Sequence, residues 1–209
     1  MAMNIKNIYC VGRNFVLHAQ ELNNTIPASP LLFLKPTHSL IIADGRDIVF
    51  PKTRGDIHYE VEFVVHIGRQ YEQGINVDDL IDQMALGLDL TLRHVQSELK
   101  KKGYPWLQAK GFPHSAVLTT WSPFKGIEES IKYDFILEKN GQVTQQGNIK
   151  DMIFDLPTIV EFTANNFGLD QGDIIFTGTP AGVGPVADGD CFTLKWDGKQ
   201  LGDCTIKLI

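Results

Sequence analysis

The sequence predicts a β-dominated α+β fold with a few short helices. Three observations lead there. Short apolar runs, rich in β-branched and aromatic residues, recur along the chain with turn residues between them. Two dipeptides, Asn140-Gly141 and Asp197-Gly198, sit between strand-like flanks as two-residue hairpin turns do. Only three stretches carry helical signals.

In chain order the strand-like runs are NIYCVG, LLFLK, SLIIADG, DIVFP, YEVEFVVHIG, ALGLDLTL, YDFILEKNG, DIIFTGTP, CFTLKWDG and CTIKLI. The two hairpin turns make their flanking strands antiparallel neighbours. Helices are expected over residues 14–22, 92–102 and about 156–167. The last has the fullest signature: Asp155 can cap it, Pro157 falls in its first turn and Gly168 ends it. Its Ile159, Val160, Phe162 and Thr163 should face the sheet.

A chain of 209 residues, 43% hydrophobic and 21% charged, can bury one sizeable core, and no repeat, low-complexity tract or linker divides it. One domain over residues 1–209 is the expectation. A formal net charge of -6, with Lys100 to Lys102 the one basic run, gives no footprint for nucleic acid. No apolar run approaches the roughly 20 residues needed to span a bilayer, and the start, MAMNIKNIYCVG, lacks the charged and apolar regions of a signal peptide. A cytoplasmic protein with neither nucleic-acid nor membrane partners is therefore expected. Cys10, Cys191 and Cys204 are an odd count without zinc-ligand spacing, which argues against a disulfide scaffold or a zinc finger. A tight turn at Asp197-Gly198 would set Cys191 opposite Cys204, open to oxidation or simply two small buried residues.

The chemistry begins at HYEVEF. Side chains alternate along a strand, so Tyr59, Val61 and Phe63 line one face while Glu60 and Glu62 share the other, about 6.6 Å apart at their bases. Taken alone, a solvated strand face is the commoner explanation of such a pair, since glutamates are usually exposed. Asp89 alters the balance, because ALGLDLTL is otherwise too apolar for a surface strand and a buried carboxylate needs a partner. That partner is either a cation shared with the two glutamates or Arg93, four residues on. An all-oxygen site of three carboxylates suits a hard cation, Mg²⁺ first and then Mn²⁺ or Ca²⁺, and leaves about three octahedral positions for water or substrate.

Arg93, Gln96 and Lys100 share one helical face, from which the first two can lean over the same site or simply meet solvent. Lys110 in LQAKGF is a lone cation among apolar and small residues, either buried against anions or snorkelling. His18 and Glu21 lie three apart on a short helix. The carboxylate can orient the imidazole there as in a general base, although surface helices also yield this spacing. FTGTPAGVGP follows a strand, but a strand-like run comes after it where nucleotide loops require a helix, so nucleotide binding is rejected. The loop can still offer backbone N–H groups and the Thr179 hydroxyl to a small anion, or be an ordinary tight loop.

Together CVGRNFVLHAQEL, PLLFLKP, HYEVEFVVHIG, GLDLTLRHVQ, KKKGYPWLQAKGF and GDIIFTGTPAGVGPV resemble the fumarylacetoacetate hydrolase superfamily, and most closely its short FAHD-type members, the acylpyruvases and oxaloacetate decarboxylases. The resemblance runs from about Ile8 to the C-terminus; Phe15 stands where relatives usually carry tyrosine. It implies a mixed β-sheet roll of the fumarylacetoacetate hydrolase C-terminal type, a homodimer, and Mg²⁺ or Mn²⁺ held by Glu60, Glu62 and Asp89. It implies a water-activating dyad of His18 and Glu21, and substrate contacts from Lys110, Arg13, Arg93, Gln96 and Thr179. The activity expected is hydrolysis of the C–C bond of acylpyruvates such as fumarylpyruvate, through a pyruvate enolate. The alternatives are oxaloacetate decarboxylation or keto–enol tautomerisation, or dienoate hydration or isomerisation, at the same site. A metal-stabilised protein that only binds a small acid is the non-enzymatic alternative.

Overall fold

The computed structural model describes residues 4–21 and 25–209. The chain begins with β1 (Ile8–Gly12), α1 (Val16–Glu21), β2 (Leu31–Lys35), β3 (Leu40–Ile42) and β4 (Asp44–Phe50). Next come β5 (Ile57–Tyr59), β6 (Val61–Ile67), α2 (Val77–Leu80), β7 (Ile81–Asp89) and β8 (Thr91–Leu92). After α3 (Arg93–Lys102) and α4 (Leu107–Lys110) follow β9 (Ala116–Leu118), β10 (Ser122–Pro123), α5 (Ile127–Ser130) and the hairpin of β11 (Phe135–Lys139) and β12 (Gln142–Gly147). The rest is α6 (Leu156–Phe167), β13 (Ile174–Phe176), β14 (Gly184–Pro185), β15 (Cys191–Trp196) and β16 (Lys199–Leu208).

The strands build an eight-stranded sheet in the order β2-β1-β13-β6-β7-β9-β3, with β10 against β7. A five-stranded sheet runs β12-β11-β15-β16-β4, and a three-stranded one β14-β5-β8. The sheets are mixed: β1/β13, β3/β9 and β4/β16 pair in parallel, and the other strand pairs are antiparallel. This is the β-dominated architecture expected. No helix among the described residues is long and apolar enough to cross a membrane.

Strand periodicity divides the core. Along β1 and β6, Tyr9, Val11, Phe63 and Val65 enter the main cluster with Phe135, Leu137, Phe192, Leu194 and Ile206 of the five-stranded sheet. The alternate residues Ile8, Cys10 and Val64 join Ala85, Ala116, Leu118, Ile174 and Phe176 in a second cluster on the opposite face. Asp155 caps α6 by accepting from Thr158 N–H, and Leu156, Ile159, Val160 and Thr163 are buried. Phe162 is only half-buried and packs edge-on against Phe167.

Both hairpin turns form with positive φ at each central residue: Asn140 (53°) and Gly141 (78°), Asp197 (50°) and Gly198 (68°). The cysteine register differs from the expectation. A bulge between Leu194 and Lys195 displaces β16 by one residue, so Cys191 faces Thr205 and Phe192 faces Cys204. One displaced residue moves a side chain to the other face, and Cys204 is buried while Cys191 is exposed, both free. The first helix starts two residues later than expected, and its expected end at Leu22 lies outside the described residues. The short α2, α4 and α5 carry too few residues for a helical period to be read.

Gly87 lies opposite Glu62, and a Cβ there would overlap the Phe176 ring and lie 2.9 Å from Val117 O. Gly87→Ala should therefore lower stability by about 1–3 kcal/mol. A thermal melt should read this as a drop of several degrees, and an unchanged melt would refute the packing argument.

Candidate active site

The register of β6 against β7 creates the site. Val61 pairs with Leu88 and Glu62 with Gly87, and the pairing continues one residue outward, where Asp89 N–H donates to Glu60 O at 2.9 Å. Cross-strand partners share a face, so Asp89 joins both glutamates. All three are buried, at 4%, 2% and 1% exposure for Glu60, Glu62 and Asp89. One oxygen from each lies within 4.8 Å of the others.

Cations answer this charge. Lys110 Nζ donates to Glu60 Oε2 (2.7 Å), Asp89 Oδ2 (2.5 Å) and Thr91 Oγ1 (2.6 Å), which uses all three ammonium hydrogens. Lys110 is thus the buried, paired lysine of the two alternatives, and it holds the acids with no hydrogen left over for a ligand. Arg93 pairs with Glu60, not Asp89, and its Nη1 donates to Gln96 Oε1 at 2.8 Å. Asp89 instead meets Lys35, whose Nζ lies 2.7 Å from Oδ1. The hydrogens of Lys35 go to Leu90 O (3.3 Å), Ser115 Oγ (3.1 Å) and Lys110 O, so its approach to Asp89 Oδ1 is an ion pair without a hydrogen bond. Nothing marked Lys35 in the sequence beyond a lysine ending the apolar run LLFLK.

Glu62 is the exception. Its hydrogen-bond partner is the Gly178 N–H, at 2.7 Å from Oε2. Burial, followed by the charges of Asp89 and Glu60, pushes its carboxyl well above the ordinary carboxylate range. Burial also pushes Glu60 up, but Lys110 and Arg93 outweigh it and hold that carboxyl below its ordinary value. Burial opposes the charge on Lys110 too, yet Asp89 and Glu60 hold its pKa above the usual lysine value. A converging, all-oxygen donor set with one buried carboxylate short of positive charge fits a hard divalent cation.

The glycine loop after β13 spends its amides on the protein's own acids. Gly178 N–H binds Glu62, and Gly182 N–H binds Glu21 Oε1 at 3.2 Å. Gly178 has φ 103°, and a Cβ there would lie 2.7 Å from Asn14 Cβ, so only glycine fits. Asn14 is fully buried and ties the start of α1 to this loop, donating to Thr177 O (2.8 Å) and Phe154 O (3.0 Å) and accepting from Phe154 N–H.

His18 stands on α1 with Nδ1 3.4 Å from Glu21 Oε2. Burial pushes its pKa below the ordinary 6.5, against the pull of Glu60. The imidazole is therefore neutral near pH 7, and the Glu21 contact favours the tautomer with hydrogen on Nδ1 and a free lone pair on Nε2. His18, Arg13, Arg93, Gln96, Lys110, Thr179 and the three acids all line one cavity of about 30 Å³, with Phe33, Lys100 and Trp106. Glu21 alone of the expected residues is not in the lining, and it reaches the site through His18.

Known proteins resemble this chain in sequence and in fold. The chain is 39% identical over 187 residues to a mitochondrial oxaloacetate tautomerase of Pongo abelii, spanning 88% of this chain and 84% of the relative. It is 38% identical over 189 residues to a mitochondrial oxaloacetate decarboxylase of Dictyostelium discoideum, at 88% and 85%. The crystal structure of fumarylpyruvate hydrolase from Pseudomonas aeruginosa, in complex with Mn²⁺ and pyruvate, superposes with a TM-score of 0.90 at 29% identity, covering 98% of this chain and 91% of that one. The family model for the fumarylacetoacetate hydrolase C-terminal region matches residues 7–208, and the chain belongs to that family.

Proposed function

We propose that this enzyme interconverts the keto and enol forms of oxaloacetate, or of a closely similar 2-oxo acid, and that decarboxylation is its companion reaction at the same site. The observation that carries this reading is the buried cluster of three carboxylates in one cavity with a neutral imidazole. It joins a seat for a divalent cation to a group able to take and return a proton. The sequence alone favoured acylpyruvate hydrolysis. Relatives named for oxaloacetate move the weight to what was the alternative.

We assign Glu60, Glu62 and Asp89 as ligands of Mg²⁺ or Mn²⁺. When bound, the cation supplies Lewis-acid polarisation of a 2-keto oxygen. His18 Nε2 takes the proton from C3, that C–H pair becomes the C2–C3 double bond, and the 2-oxygen gains the proton. Glu21 orients the ring and stabilises the imidazolium formed midway. Lys110 and Arg93 act as fixed positive charges beside the developing enolate, and Arg13, Gln96 and Thr179 receive the substrate's carboxylates. Loss of the 4-carboxylate as CO₂ would reach the same type of enolate without an attacking water.

Hydrolysis of acylpyruvates is a second reading, favoured by the His18–Glu21 contact, which can equally activate water. His18→Ala separates the reactions. It should lower acylpyruvate hydrolysis and oxaloacetate tautomerisation by about 10²- to 10⁴-fold and decarboxylation, followed as pyruvate release, much less. Equal losses in hydrolysis and decarboxylation would refute the role of His18 as the base.

Loss of the ultraviolet absorbance of enol-oxaloacetate should depend on the cation. Chelator-treated protein should be inactive, and Mg²⁺ or Mn²⁺ should restore the wild type but not Glu62→Gln at the same concentration; activity indifferent to chelator would defeat the assignment. The base must be unprotonated and its pKa is lowered, so the acid limb of kcat/KM should lie below pH 6.5. A limb above that value would place another group in the role.

A further inference from the structure

Gln145 lies on β12, outside the cavity, and is 2% exposed. Its amide reaches two segments of the site. Oε1 accepts from Val61 N–H at 2.8 Å, the peptide N–H between Glu60 and Glu62. Nε2 donates to Thr179 Oγ1 at 2.8 Å and to Pro180 O at 2.9 Å. Chemistry fixes this orientation: a backbone N–H can only donate and a carbonyl can only accept, so the amide oxygen must face Val61 and its nitrogen must face Pro180.

That assignment leaves Thr179 with a defined polarity. Its oxygen accepts a hydrogen from Gln145, so its own hydrogen must point elsewhere. Within the protein that hydrogen is donated to Pro180 O, at 3.5 Å, a long contact for an O–H···O bond and one shared with Gln145. A ligand oxygen in the cavity that Thr179 lines can approach closer than Pro180 O and take that hydrogen.

We propose that Gln145 is a positioning residue that holds the Thr179 hydroxyl as a fixed hydrogen-bond donor to the substrate. In naming the ligand as a 2-oxo acid this inference rests on the function proposed above, whereas the polarity rests on the hydrogen bonds alone. The site then favours a carboxylate or oxyanion at Thr179 and rejects a group that can only donate, because a buried donor facing a donor leaves both unsatisfied. The amide oxygen, held by Val61 N–H, fixes the rotation that aims Nε2 at Thr179.

Gln145→Glu tests the polarity with little change of shape. Its carboxylate can still accept from Val61 N–H but offers only an acceptor to Thr179, so the hydroxyl hydrogen turns toward residue 145 and away from the ligand. Gln145→Leu removes the amide altogether, and thermal melts report whether each variant folds. Oxalate, a planar analogue of the pyruvate enolate, is titrated calorimetrically with MgCl₂ present, and oxaloacetate kcat and KM are measured in parallel. Both substitutions should raise oxalate Kd and oxaloacetate KM by about 10-fold or more, with kcat changed less than about 2-fold.

In a Thr179→Ala background, itself weakened to a similar degree, either substitution should add less than about 2-fold, since no hydroxyl remains to be aimed. Multiplying losses, unchanged Kd in a folded Gln145→Leu protein, or failure of oxalate to bind the wild type would each overturn the inference. Oxalate binding that follows the expected cycle in a protein without oxaloacetate turnover would sink the proposed reaction and leave the role of Gln145 standing.

Discussion

Three buried carboxylates share one pocket at the ends of two paired strands, and most of the surrounding structure answers that charge. Moving an ion of this size into a low-dielectric interior carries a penalty of several kcal/mol even after relaxation. Lys110 commits every hydrogen to the cluster and its threonine neighbour, Lys35 takes the far oxygen of Asp89, and Arg93 takes the far oxygen of Glu60. Each of these cations comes from a different element, β2, α3 or α4, so the charge cluster fastens those elements to the sheet. Removing one member would strand its partners, which is more damaging than never having built the cluster.

Glu62 escapes this compensation, and there the structural demand becomes a functional opportunity. A carboxylate held by a single backbone amide, next to two others, is a poor folding element and a good ligand. The loop that supplies the amide also reaches Glu21 through Gly182, so Glu62 and the Glu21 partner of His18 hang from one turn of chain. Asn14 anchors that turn to the start of α1, which carries His18.

Under the proposed function one arrangement serves more than one reaction. Stabilising an enolate is common to tautomerisation, decarboxylation and C–C hydrolysis. They differ in which bond breaks and whether water takes part. Small changes in what fills a tight cavity can then redirect the chemistry without altering the acids themselves.

Local pattern alone determined a good part of this protein. The period of two in HYEVEF put Glu60 and Glu62 on one face, the apolar setting of Asp89 marked it as needing a partner, and the Asn-Gly and Asp-Gly turns and the ends of α6 follow from backbone preferences that neighbouring residues reveal. Tertiary structure decided what depends on distant contacts. Arg93 went to Glu60 because β5 and β6 bring that carboxylate to the start of α3, while Lys35 and Lys110 claimed Asp89 from 54 and 21 residues away. A one-residue bulge separated the two cysteines, and Gln145 joined Val61 to Thr179 across 84 and 34 residues. Such partners leave no mark on a local periodicity, because only the closing of the sheets brings them within hydrogen-bond reach.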